Sequence, residues 1–155
     1  MRRSDKQISD RAELERLLDE AQVMRLGMID NGKPYVVPVN FAHEDGIVWV
    51  HGAAEGRKLA CLRGGAPVCV EVDRLLRVTS GPRACGDWTS HYESAIGFGT
   101  GEVVVDEQLK LEGLRAVMRK YSGRDDWEFT AKSLQETAVI RITLDELTGK
   151  RSPAR

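Results

Sequence analysis

The sequence predicts a mainly β domain: a small antiparallel barrel of six strands with attached helices. Three observations point there. Two turn signals, Asp30-Asn31-Gly32-Lys33 and Glu44-Asp45-Gly46, join three consecutive apolar runs into a meander. Hairpins make antiparallel pairs, which argues against a doubly wound parallel sheet. The later strand-like runs are separated by helical patterns, and the chain of 155 residues fits one domain spanning 1–155 with a substantial core.

Taken in order, Asp10 and Glu13 have capping-box spacing, and Leu14, Leu17, Leu18 and Ala21 recur at helical intervals, so 11–22 reads as an amphipathic helix. Val23 to Ile29 is the first strand. Asn31-Gly32 suits a type I′ turn, which needs positive φ at both central residues. The return strand runs from Tyr35 to Phe41. Pro38 inside it has no N–H to donate, so this strand must lie at an edge or carry a bulge. Ile47 to His51 is the third strand. A short helix over 56–63 ends at Gly64-Gly65, and Val68 to Val72 is the fourth strand. Residues 73–91 read as irregular, although Leu75 to Val78 could extend a strand. Glu93 to Val105 is a long strand whose Gly97, Gly99 and Gly101 share one pleat face, which marks a bend, a bulge or a close neighbour. A second helix covers 107–121, residues 122–136 are polar, and Thr137 to Leu144 alternates as the last strand.

Composition narrows the function. The net charge is −1, so no basic excess suggests nucleic acid as a partner. The cysteines Cys61, Cys69 and Cys85 are odd in number and form no C-x-x-C pair, which fits a reducing compartment. Polar residues follow Arg2-Arg3, unlike a secretory leader, and no apolar run approaches the roughly 20 residues of a membrane helix. A cytoplasmic protein is expected.

The densest chemical signal is His51-Gly52-Ala53-Ala54-Glu55-Gly56-Arg57-Lys58. It places two cations in the first turn of a helix, where the macrodipole disfavours them by about 0.3–1 kcal/mol each unless an anion binds. Two readings stand: a phosphate site, or cations neutralised at the surface by carboxylates. Pro38 leaves backbone groups of Val37, Val39 and Asn40 available to a flat polar ligand, or simply marks an edge. Trp88, His91 and Tyr92 cluster before the long strand, where they would cover a planar ligand, fill a subunit interface or plug a barrel end. The spacing of His43, His51 and His91 does not suggest a zinc site, and the metal expectation is none. There is no Walker loop and no G-x-S-x-G elbow. Gly97-Phe98-Gly99-Thr100-Gly101 lacks the spacing of a dinucleotide fingerprint.

Together, Val37-Pro38-Val39-Asn40-Phe41, His51 to Lys58, and Trp88-Thr89-Ser90-His91-Tyr92-Glu93-Ser94-Ala95-Ile96-Gly97-Phe98-Gly99 resemble the pyridoxamine 5′-phosphate oxidase-like, FMN-binding split-barrel superfamily. Within it the resemblance is to the nitroimidazole-resistance proteins, and it extends over about residues 1–145, including Met118-Arg119-Lys120-Tyr121. The resemblance implies a homodimer with FMN at the subunit interface. Arg57 and Lys58 would hold the phosphate, with His51 and Gly52 close by. Adjacent helical residues point about 100° apart, so one of the two cations should reach it squarely, and Lys58 is favoured. Val37, Pro38, Val39 and Asn40 would line the isoalloxazine edge. Trp88, Tyr92 and Ser94 would border the flavin from the same or the partner subunit. The implied activity is an FMN-dependent oxidoreductase passing electrons from NAD(P)H or another small donor to an acceptor such as a nitroaromatic. No catalytic residue is assigned; His51 and His91 are the candidates for proton delivery. The alternatives are a haem protein with His51 or His91 as axial ligand, a flavin-binding module without turnover, and a family member without cofactor.

Overall fold

The first helix shows how local chemistry starts the fold. In the computed structural model, which describes residues 4–84, 86–124 and 126–152, α1 (Arg11–Glu20) begins where the Asp10 carboxylate accepts from the Ala12 N–H at 3.1 Å. Glu13 does not complete a capping box; it binds Arg151 at 2.9 Å instead. Leu14, Leu17 and Leu18 are buried on one face. Cys85, Arg2 and Arg3 lie outside the described residues, and Cys61 and Cys69 are free thiols.

Eight strands form one antiparallel sheet, two more than the sequence predicts. A two-residue β1 (Gln7–Ile8) pairs with the last strand. The hairpin of β2 (Met24–Asp30) and β3 (Lys33–Val39) turns at Asn31 (φ 48°) and Gly32 (φ 78°), the two positive angles of a type I′ turn. The predicted return strand is really two, because pairing breaks at Asn40 and β4 (Phe41–Glu44) follows. A second turn, with Asp45 at φ 52° and Gly46 at φ 79°, leads into β5 (Ile47–Ala53). Then come the six-residue α2 (Arg57–Leu62), β6 (Ala66–Thr79), β7 (Thr89–Val103), α3 (Glu107–Ser122), α4 (Ala131–Glu136) and β8 (Thr137–Arg151). The segment read as irregular from residue 73 is therefore strand as far as Thr79, paired with the start of β7.

The sheet order is β3-β2-β6-β7-β8-β5-β4. Its two edge strands, β3 and β4, are consecutive in the chain. The strip thus curls into a barrel that one strand closes by changing partner, from β2 to β5, at Asn40. This is a split β-barrel. Among the described residues β3 pairs with β2 alone, which is the edge position that Pro38 requires.

Two apolar clusters hold the layers. One fills the barrel with residues such as Leu26, Phe41, Val48, Val50, Val70 and Ile142. The other lies outside, where Trp49 and Val139 meet Leu114, Ala116 and Val117 of α3. The glycine face of β7 points inward. A Cβ on Gly99 would stand 1.9 Å from the Thr143 carbonyl oxygen, at the β7–β8 register shift. The backbone itself is the close neighbour there.

Candidate functional site: a cleft at the open edge of the barrel

The last residue pair joining β4 to β5 is Phe41↔Val50. Continuing that register would set Asn40, Val39 and Pro38 opposite His51, Gly52 and Ala53. Those pairs are not made, because the chain before Phe41 belongs to β2. The two strands diverge from Phe41, and the wedge between them is the split. Its sides are the segments singled out in the sequence, Val37 to Asn40 and His51 to Gly52. Among the described residues, the backbone along β3 that faces away from β2 has no strand partner.

α2 sits at the same place. Lys58 lies across Gly52: a Cβ there would meet its ammonium at 3.0 Å. Lys58 is half-buried and makes no ion pair among the described residues, and burial lowers its pKa. Arg57 reaches the other side of the wedge, where its guanidinium binds Asp30 at 2.7 Å and lies 4.1 Å from the centre of the Tyr35 ring. The two readings of these cations therefore divide between them. Arg57 is neutralised by a carboxylate, whereas Lys58 keeps an unpaired charge. A six-residue helix adds little dipole, so the anion chemistry rests on the Lys58 side chain.

Strand alternation separates His51 from Lys58. Val48 and Val50 point into the barrel, while Trp49 packs beneath α3 on the outside. His51 shares the Trp49 face and lines a cleft of about 230 Å3 with Leu114, Val117, Met118, Phe129, Ser133 and Thr137. Burial, and secondarily the Lys58 charge, hold its pKa below the ordinary imidazole value. The His51 ring faces the α3 side of β5 while Gly52 supports Lys58. His91 is 1% exposed on the inward face of β7, which removes it from contact with a surface ligand. The His43 side chain is buried, with Nδ1 3.5 Å from Asp19.

Trp88, Tyr92 and Ser94 are not brought to the wedge within one chain. Ser94 pairs with Lys150, and His51 with Val139, eleven residues earlier on β8, or about 35 Å of strand. Across the sheet, β7 lies three strand spacings from β3, about 14 Å. Tyr92 and Ser94 do share the outward face with Pro38. The Trp88 indole N–H donates to the Gly81 carbonyl at 3.2 Å, and Lys6 stands 5.8 Å from the Tyr92 ring centre. The same outward face is apolar: the cross-strand row Val36↔Gly27↔Cys69↔Phe98 has Val36 60% and Phe98 51% exposed, with Ile29 and Ile96 beside it.

A family model for pyridoxamine 5′-phosphate oxidase matches residues 10–151. The chain belongs to this family. No curated protein sequence matches it. Among solved structures, a candidate 5-nitroimidazole antibiotic resistance protein from Bacteroides thetaiotaomicron is 28% identical with a TM-score of 0.80, over 93% of this chain and 85% of that one. A protein of Mycobacterium smegmatis described as binding FAD and haem is 26% identical, TM-score 0.84, over 96% and 74%. A FAD-binding protein of Mesorhizobium loti is 26% identical, TM-score 0.67, over 93% and 96%. Two of these three relatives are thus described as binding FAD, one of them together with haem.

Sequence reasoning missed the partners of Arg57. Asp30 belongs to a hairpin turn, and only the fold brings it back to α2. Among the described residues no group of three His, Cys, Asp or Glu side chains could hold a metal ion, and no helix is long and apolar enough to cross a membrane.

Proposed function

We propose that this chain is a cytoplasmic FMN-dependent oxidoreductase that works as a homodimer and passes electrons from a small donor such as NAD(P)H to a small acceptor of the nitroaromatic kind. The observation that carries this reading is Lys58. It is an unpaired, half-buried cation laid over a side-chain-free residue at the mouth of an unzipped sheet edge. That donor set fits a phosphate at Lys58 and a flat, hydrogen-bonding ring edge against the backbone of Val37 to Asn40. Bound flavin supplies hydride and single-electron transfer; the chain's own residues position it and control solvent. Arg57, tied to Asp30, steadies the start of α2. Gly52 leaves room for the Lys58 ammonium. His51 can accept or donate one proton at the edge of the apolar cleft. The exposed row of Val36, Ile29, Ile96 and Phe98 supports pairing of two copies through the outward sheet face, which would bring Trp88, Tyr92 and Ser94 of one copy toward the wedge of the other.

The absorption spectrum of the purified protein and an FMN titration test the cofactor. Wild type is expected to show a flavin band and K58M to bind FMN about tenfold more weakly or worse; equal affinities would refute the phosphate assignment. F98E is expected to convert a dimer to a monomer in light scattering. A flavin that NADPH leaves oxidised under anaerobic conditions would favour a flavin-binding module without NADPH-driven turnover. A second reading, haem on His51, draws on its imidazole lining an apolar cleft and on the relative that binds FAD and haem. A Soret band lost in H51A would establish it.

A further inference from the structure

The wedge has an apex, and the last turn of α3 grips it. Phe41, fully buried, is the residue from which β3 and β5 diverge. Its backbone N–H donates to the Tyr121 hydroxyl at 3.1 Å. That hydroxyl donates in turn to the Gln22 carbonyl at 2.7 Å, and the Asn40 side-chain amide approaches the same carbonyl at 3.3 Å. The Lys120 ammonium sits 3.6 Å from the centre of the Phe41 ring and donates to the Leu18 carbonyl at 2.8 Å. One helical turn therefore ties the joint between the two sheet edges to the end of α1 and the connection after it. The strand ladders leave a gap at that joint, because pairing to β2 stops at Val39 and pairing to β5 starts at Phe41.

We propose that Tyr121 is a positioning residue for the flavin ring: its hydroxyl fixes the opening angle of the split and so sets where the Pro38–Asn40 backbone stands. This rests on the flavin reading above. Tyr121 is 38% exposed, and its hydroxyl bonds the backbone of Phe41 and Gln22. Its effect passes through Phe41 and Asn40. The angular consequence grows with distance from Phe41. Pro38 is three residues, or about 10 Å, from the apex, so a small rotation at Phe41 displaces the ring-facing backbone more than the joint itself.

The test is Y121F, which removes only the hydroxyl from a partly exposed ring. FMN and riboflavin are titrated into wild type and Y121F. Loss of positioning should weaken both ligands by the same factor, about tenfold, and alter the fine structure of the long-wavelength flavin band. The ratio of FMN to riboflavin affinity should stay at the wild-type value, because Lys58 is untouched. In the flavin-free protein, amide exchange at Phe41 should accelerate at least tenfold while the melting temperature moves little. Unchanged binding of both flavins, or unchanged Phe41 exchange, overturns the proposal. A loss confined to FMN also overturns it, since that would mean the phosphate side had moved. If wild type binds neither flavin, the flavin reading and the ring-positioning role fall together; the Phe41 exchange then shows only whether the latch exists.

Discussion

Replacing Glu93 with Gln should cost the fold about 3 kcal/mol. The Glu93 side chain is 6% exposed, and its two oxygens receive Arg74 at 2.5 and 2.7 Å and Arg151 at 2.6 Å, with Arg16 at 3.7 Å. Removing one partner of a buried ion pair typically costs about 3–5 kcal/mol, because the other charge is left uncompensated. Each arginine keeps an exposed second partner, Glu20 for Arg16 and Arg74 and Glu13 for Arg151, which argues for the low end. At this chain length about 3 kcal/mol corresponds to a melting temperature lowered by about 6–12 °C. Burial pushes the Glu93 carboxyl up, but hydrogen bonds from Arg74 and Arg151 and their charges outweigh it and hold the group below the ordinary range. Its contribution is therefore complete above the unfolded carboxyl pKa of about 4.3 and is lost as pH falls through the lower folded value. The assay is thermal unfolding of wild type, E93Q and E102Q from pH 7 down to pH 3. Glu102 meets Arg141 at 3.4 Å on the surface, so E102Q should change stability by less than about 1 kcal/mol. A fall for E93Q no larger than for E102Q, or a gap that does not shrink in acid, would refute the reasoning.

Three further outcomes are expected. An NMR titration should place the His51 midpoint below the usual imidazole value of about 6.5, and K58M should raise it part of the way, since burial remains. With a depressed folded pKa the unfolded chain takes the proton first, so this residue's contribution to stability declines as pH drops below that value. Burial lowers Lys120 to about 8, opposed by Asp19; the unfolded chain then holds the extra proton between pH 8 and about 10.4, so wild type should gain stability relative to K120M across that window in urea titrations. G99A should destabilise by about 3 kcal/mol or more, because the clash is with backbone and cannot be relieved by a rotamer change; a soluble G99A melting within 2 °C of wild type would contradict the β7–β8 geometry.

The barrel was legible in the sequence wherever one face of an element is buried and the other is wet. Leu14, Leu17 and Leu18 mark α1, the Asn31-Gly32 turn marks the first hairpin, and Pro38 marks the edge. Legibility failed where pairing alone makes the strand. Asp73 to Val78 is exposed along its length, with a register irregularity between Leu75 and Arg77, so no alternation survives to be read. The polar second half of β8 is similar: it is set by β7 on one side and β1 on the other, and Gly149 gives way to Leu14, which lies 2.4 Å from where a Cβ would be. For the site, the His51 to Lys58 signal located the wedge, but the opposite facing of His51 and Lys58 needed the pleat, and the neutralisation of Arg57 needed Asp30. Nothing in spacing alone linked Trp88, Tyr92 and Ser94 to that place.

The position of β8 also governs how the chain can assemble. It is the last described strand in the chain, yet it lies between β7 and β5 and carries β1 as well. Until it emerges from the ribosome, the ribbon from β3 to β7 and the β4–β5 hairpin have no strand in common. Both then expose unpaired borders that other chains could join. Folding is thus weighted toward contacts between distant parts of the chain, which makes it slow and gives aggregation its opportunity before the final strand inserts.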